Sequence, residues 1–104
     1  MARYDVHLNT NPRQCGEIPY LLDVQAEVFR DLGTRVVVPL YRDGAIPRPI
    51  GGVQVRLNVG DTAVVMETPA LAAIPARALG VCVGNLAADG PNILRALDLL
   101  FTGA

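Results

Sequence analysis

Two apolar runs joined by a short polar link constrain the fold of this chain more than any other feature. The runs cover residues 20–26 and 34–40. The second contains three consecutive valines, Val36–Val38, and β-branched residues in succession favour a strand that is covered on both faces. Gly33 ends the link and gives the backbone the freedom that a turn needs before the chain enters a strand. The pattern therefore predicts two strands of one sheet, connected as a hairpin through residues 27–33.

Val28 and Phe29 are unusual in this link because its other residues are mostly polar. One interpretation is that the two side chains fold back onto the edge of the sheet. The other is that they form an exposed apolar pair, which would mark a contact site on a loop. The sequence leaves both interpretations open.

Further elements follow from hydrophobic periodicity and turn residues. Residues 3–8 alternate as a half-buried strand, and residues 53–59 and 62–67 form a second hairpin that turns at Gly60 and Asp61. Residues 41–52 are rich in glycine and proline and predict a long loop. Residues 71–74 predict a short edge strand.

The C-terminal residues give the clearest helix. Asp89 is a candidate N-cap, and Pro91 suits the first helical turn. The apolar residues that recur at helical spacing are Ile93, Leu94, Leu97, Leu100 and Phe101. Together these elements predict a mainly β fold of about seven short antiparallel strands, arranged as a small barrel-like sheet with one C-terminal α-helix.

Length and composition predict a single domain, 1–104, that associates with itself. A chain of 104 residues buries about two-thirds of the surface that its unfolded state exposes. Its apolar fraction of 51% is high for so small a domain. Part of that apolar surface is expected to lie in a homo-oligomeric interface.

Charged residues exclude several functions. The net charge is −1, so no general attraction to nucleic acid or to an anionic membrane is expected. All nine basic residues are arginine, which excludes a P-loop lysine and a Schiff-base lysine. The acidic residues form no pair at a catalytic spacing, and no hydrolase or nucleotide-binding motif is present. The sequence therefore predicts a protein that is not an enzyme.

The histidine and the cysteines do not suggest a metal or cofactor site. His7 is the one histidine and is expected to be a surface or strand-edge residue. Cys15 and Cys82 are far apart in the sequence and belong to no CxxC or Cys/His cluster. We expect both to be reduced thiols of a cytoplasmic protein, with no signal peptide and no membrane span.

Five short segments carry a resemblance to a known family, in the family's order and across nearly the whole chain. They are Leu22–Gln25, Val38–Leu40, Val59–Asp61, Ala72–Pro75 and Leu99–Gly103. On these residues the chain resembles the CcdB family, the toxins of bacterial toxin–antitoxin modules that poison DNA gyrase. The resemblance implies an SH3-like β-barrel with a C-terminal helix.

The resemblance also implies partners and contact residues. The family forms isologous homodimers, which would direct Leu100 and Phe101 toward the dimer core. The residues implied to contact the gyrase A subunit are Val28, Phe29, Asp98, Thr102, Gly103 and Ala104. Thr102 stands where the family's best-known member has tryptophan. This difference leaves open a variant gyrase pocket, another target or a weakened toxin.

A CcdA-like antitoxin is the second implied partner. In the family, a disordered antitoxin segment folds onto the toxin dimer, and the antitoxin makes the DNA contacts through which the complex represses its own operon. Arg42 and Arg48 are candidates for receiving an acidic antitoxin peptide.

Two other functions remain open from the sequence. One is a MazF/Kid-like endoribonuclease toxin, with Thr34, Arg35 and Arg56 as the candidate residues, although exposed strand positions are the simpler interpretation of all three. The other is a non-toxic relative that binds an antitoxin.

Overall fold

Seven strands and one α-helix form the fold in the computed structural model, which describes residues 1–46 and 51–103. The strands are β1 (Asp5–Leu8), β2 (Tyr20–Asp23), β3 (Thr34–Arg42), β4 (Gln54–Val59), β5 (Thr62–Glu67), β6 (Ala72–Pro75) and β7 (Cys82–Asn85). The helix, α1, spans Gly90–Thr102. Single turns of 3-10 helix lie at Glu27–Phe29 between β2 and β3, and at Thr68–Ala70 between β5 and β6.

The sheet is organised around β3, its longest strand. One edge of β3 pairs with β2, while the other edge pairs with β6 at the start of the strand and with β5 at its end. All these pairings are antiparallel, and the strand order is β4-β5-β3-β2-β1-β7, with β6 beside β3. The sheet curls into a half-barrel. The predicted mainly β fold, a small barrel-like antiparallel sheet with a C-terminal helix, is confirmed.

Both predicted hairpins are present. Leu22 pairs with Val38 in the first hairpin, and Val59 pairs with Thr62 in the second. Gly60 turns the second hairpin with a positive φ of 58°, a conformation that glycine adopts without steric cost. The predicted loop 41–52 starts later than expected, because β3 continues through Arg42 before the chain turns. Its residues 47–50, which include Arg48, lie outside the described residues.

The core lies between one face of the sheet and α1. Val38 and Leu40 of β3 face the same side, and they pack in one cluster with Ile93, Ala96 and Leu97 of the helix. Burying a side chain of this size contributes about 1.5–3 kcal/mol relative to leaving it in water. The helix is therefore held on the sheet mainly by apolar contact.

The face of α1 differs from the predicted stripe. Ile93 and Leu97 are buried as expected, but Leu94 and Phe101 are exposed and Ala96 takes a place in the core. The buried residues of the helix recur at spacings of three and four from Gly90. Leu94 and Phe101 lie on the neighbouring side of the helix, outside this buried stripe. Asp89 stands at the predicted N-cap position and Pro91 in the first turn, but the side chain of Asp89 makes no capping hydrogen bond.

His7 does not lie at the surface, contrary to the prediction. Its side chain is 4% exposed. The reason is topological: β1 has β2 on one edge and β7 on the other, and Leu8 also donates a backbone hydrogen bond to Val81. The chain before β7 therefore covers a position that the alternating pattern had assigned to solvent.

Arg35 is likewise buried, although exposure was predicted. Its Nε donates to the Asp23 Oδ2 at 2.7 Å, and both side chains are completely buried. The second carboxylate oxygen of Asp23 accepts a hydrogen bond from the Gln25 backbone N–H at 3.0 Å. The Nη1 and Nη2 atoms of Arg35 are buried with no hydrogen-bond partner among the described residues. Asp23 is therefore the group that compensates the buried guanidinium charge.

We expect Asp23→Ala to lower the free energy of unfolding by about 3–5 kcal/mol, because it leaves the Arg35 charge buried without its partner. Urea denaturation followed by circular dichroism measures the change. The control is Asp43→Ala, which removes an ion pair with Arg56 that is longer, at 3.4 Å, and exposed to solvent. An exposed pair contributes at most about 1 kcal/mol. Equal losses in the two variants would contradict the role given to the buried pair.

Candidate protein-contact surface

The last turns of α1 present an apolar side chain to solvent. Phe101 is 69% exposed, and Leu94, two turns earlier on the same side of the helix, is also exposed. Asp98 lies between them on this side and is exposed. Leu100, in contrast, is partly buried. An exposed phenyl ring at the end of a helix is a typical anchor for another protein. We call Leu94, Asp98 and Phe101 the helix face.

The tip of the helix is closed by its own hydrogen bonds. Gly103 adopts a left-handed conformation with φ 73°, and its N–H donates to the Leu99 carbonyl at 2.9 Å. The Thr102 hydroxyl donates to the Asp98 carbonyl at 2.7 Å. Glycine at this position ends a helix without a steric penalty. The tip is therefore a defined shape through Gly103, while Ala104 lies outside the described residues.

A groove of about 600 Å³ runs beside the helix face, with Tyr4 on its far side. Tyr4 has a positive φ of 70°, which is costly for a residue with a side chain. Two backbone hydrogen bonds hold it there: Tyr4 N–H donates to Asp23, and Leu86 N–H donates to the Tyr4 carbonyl. The ring lies against Gly90, where an added Cβ would approach the Tyr4 Cε2 to 3.3 Å. The start of the chain thus supplies an aromatic wall to this surface.

The link between β2 and β3 carries a second apolar surface. Val28 is 80% exposed and Phe29 is 52% exposed, and Leu32 is exposed beside them. The interpretation of Val28 and Phe29 as an exposed pair is thus confirmed. We call these three residues the link patch.

Gln25 fixes the link patch to the sheet. Its Nε2 donates to the Phe29 carbonyl at 3.0 Å, and its Oε1 accepts from the Val36 backbone N–H at 3.0 Å. A single side chain thus bridges the 3-10 turn and β3. The exposed apolar residues are therefore presented by a turn that the sheet supports.

The predicted contact residues fall into these two surfaces. Asp98, Phe101, Thr102 and Gly103 lie together at the end of α1, while Val28 and Phe29 lie on the link. No hydrogen bond or ion pair within residues 1–46 and 51–103 joins the two surfaces.

Arg42, the candidate antitoxin contact, lies at the exposed end of β3. Its Nε donates to the Gly16 carbonyl at 2.7 Å, so the side chain holds the segment before β2 against β3. The neighbouring Tyr41 belongs to the wall of a groove of about 470 Å³. Val37 and Pro39 line the same groove, on the face of β3 opposite α1. A mainly apolar groove is thus available on the other side of the sheet, whereas Arg42, next after Tyr41, falls on the opposite face of β3.

Side chains with metal-ligating atoms meet elsewhere, at the pairing of β1 with β7. Asp5, His7 and Cys82 form this group, which the sequence spacing did not reveal.

In the part of the chain that the structure covers, no helix is both long and apolar enough to cross a membrane.

The comparisons with known proteins give one family. A family model described as CcdB protein matches residues 3–103. The match includes Tyr4, the link patch and the helix tip through Gly103. A comparison with individual curated proteins found no match.

Proposed function

Because this chain belongs to the CcdB family of toxin–antitoxin toxins, we propose that it inhibits DNA gyrase through protein–protein contact at the end of α1. The family match over residues 3–103 carries the proposal. The gyrase A subunit is the partner, and the toxin acts in the cytoplasm, where that target lies. No bond is made or broken by the toxin itself.

The exposed ends of two elements support this mode of action. Thr102 and Gly103 close the helix with their own hydrogen bonds, so little ordering is needed when the tip enters a partner. Ala104 would extend the contact beyond Gly103. Val28 and Phe29 of the link patch add apolar area that no other described element covers. Phe29 supplies an aromatic contact group, which Thr102 at the helix tip does not.

We propose that the toxin is an isologous homodimer, with Leu100 and Phe101 at the two-fold axis. Leu100 is partly buried and Phe101 is mostly exposed within one chain, which leaves apolar area for a second copy to cover. In an isologous dimer the same residues meet from both sides. This places the two helix ends, and therefore both copies of the tip, close together.

A CcdA-like antitoxin is the second partner in the proposal. The groove of about 470 Å³ has a mainly apolar lining, which suits side chains of an extended peptide. Arg42 and Arg48 would attract acidic residues of that peptide. DNA would then be contacted by the antitoxin, since the net charge of −1 gives this chain no general attraction to phosphate.

Arg35, one of the candidate residues for endoribonuclease activity, is not available to bind phosphate. Phosphate binding needs accessible arginine, and Arg35 is buried against Asp23. Thr34 and Arg56 are exposed. Arg56 already forms an ion pair with Asp43 at 3.4 Å.

Expression in bacterial cells without an antitoxin tests the proposal. We expect growth arrest by the full chain, together with loss of gyrase supercoiling activity when the purified protein is added. Deletion of residues 102–104 should abolish both effects, because the tip enters the gyrase dimer. Indifference of the cells would favour the non-toxic relative, whereas cleavage of RNA by the pure protein would favour the endoribonuclease.

We expect Phe29→Ala to weaken binding to the gyrase A subunit by at least about tenfold, because it removes an aromatic contact. Calorimetry with the purified subunit measures the affinity. Val83→Ala is the matched control, since Val83 is also exposed but lies on β7. Equal affinity of the Phe29 variant and the unchanged protein would refute the contribution of the link patch.

We expect Phe101→Glu to raise the dimer dissociation constant by at least about 30-fold, because two carboxylates would meet at the axis. Sedimentation equilibrium at micromolar concentration measures it. Val81→Glu is the control, since Val81 and Phe101 are both 69% exposed. A monomeric unchanged protein, or a fully dimeric Phe101 variant, would contradict the proposed axis.

A further inference from the structure

Three metal-ligating side chains meet where β1 pairs with β7. Asp5 and His7 are two positions apart on β1, so their side chains point to the same face of the sheet. The register places Cys82 of β7 directly opposite His7, with a local irregularity between Val6 and His7. A carboxylate oxygen, a ring nitrogen and the Cys82 Sγ all lie within 4.8 Å of one another. Residues from opposite ends of the sequence thus form one cluster.

His7 gives an independent indication of a ligand. Its Nδ1 lies 3.0 Å from the Gly80 carbonyl oxygen, which can only accept a hydrogen bond. Donation from Nδ1 leaves Nε2 with a free lone pair, and this nitrogen is buried with no hydrogen-bond partner among the described residues. A carbonyl that accepts from one ring nitrogen and so fixes the tautomer is the usual environment of a metal-bound histidine. A buried nitrogen without a partner is costly, and a metal ion would remove that cost.

Two hydrogen bonds orient the Asp5 carboxylate. Its Oδ1 accepts from the Asn85 Nδ2 at 2.9 Å, and its Oδ2 accepts from the Ala2 backbone N–H at 2.8 Å. Each carboxylate oxygen keeps a second lone pair for a metal.

Cys82 completes the donor set from the exposed side. The residue is exposed, and its Sγ–H donates a weak hydrogen bond to the Gly84 carbonyl at 3.4 Å. One nitrogen, one sulfur and one oxygen suit a borderline metal ion, and zinc takes all three. Zinc bonds of about 2.0–2.3 Å require ligand atoms roughly 3.5 Å apart. Because Cys82 lies on an exposed strand, its side chain can turn inward to close the cluster.

We propose that Asp5, His7 and Cys82 form a site for Zn²⁺ that fastens β7 to β1. On binding, the Cys82 thiol loses its proton to solvent and the thiolate takes the metal, while His7 and Asp5 bind without a change of covalent structure. Water occupies the fourth position of a tetrahedral ion. The unfolded chain separates these ligands, so Zn²⁺ binds the folded protein in preference and stabilises it.

Zinc titration of the purified full-length protein, reduced and freed of metal, tests this site. We expect one Zn²⁺ per chain in competition with a chromophoric chelator, and a rise in the melting temperature with added Zn²⁺. Co²⁺ in place of Zn²⁺ should give the sulfur-to-cobalt charge-transfer absorption of a thiolate ligand.

Two exposed cysteines give a matched pair of variants. Cys82→Ala should remove the cobalt absorption and the thermal shift, and should weaken zinc binding at least about 100-fold, whereas Cys15→Ala should change none of them. Asp5→Asn should weaken zinc binding without removing the absorption. The proposal is overturned if the unchanged protein fails to bind Zn²⁺ at micromolar concentration, or if Cys82→Ala binds it equally well. Neither result depends on an effect on gyrase.

Discussion

Hydrogen bonding along both edges of β3 is the constraint on which the rest of this molecule depends. β2 pairs with one edge from Val37 to Leu40, while β6 and β5 divide the other edge between them. The 3-10 turn at Thr68–Ala70 lies between these two strands, so the pairing with β3 is interrupted there. Both faces of this strand carry buried side chains. One face of β3 accordingly packs on α1, and the other contains the Asp23–Arg35 ion pair and the apolar groove.

The patterns that the sequence predicted well are the local ones. The run of valines at 36–38 and the turn at Gly60 depend on neighbours in the chain, and both hairpins formed as expected. The positions of His7 and Arg35 depend on strands far away in the sequence. Alternation assigns a residue to one of two faces, but it does not say whether another segment covers that face. The burial of His7 by the chain before β7 therefore had no local signal.

Only the part of the candidate contact surface that has a local sequence pattern could be predicted. Val28 and Phe29 were recognisable because they interrupt a polar segment, and the structure exposes both. The exposure of Phe101 was not apparent from its spacing, since it fits the same periodicity as the buried Leu97. Tyr4 was missed as part of the surface, because a left-handed backbone at a tyrosine has no sequence signature. The cluster of Asp5, His7 and Cys82 was hidden by its separation along the chain.

The hydrogen bond from Thr102 back to Asp98 determines what the end of the helix offers to another molecule. Since the hydroxyl proton is committed inside the helix, a neighbour meets a methyl group and an oxygen that can only accept. A shallow apolar recess with a donor at its margin would complement this end. A deep pocket shaped for an aromatic ring would be left partly empty by threonine. The preference for one kind of pocket over the other therefore follows from Thr102, whose hydroxyl proton is already bonded to Asp98.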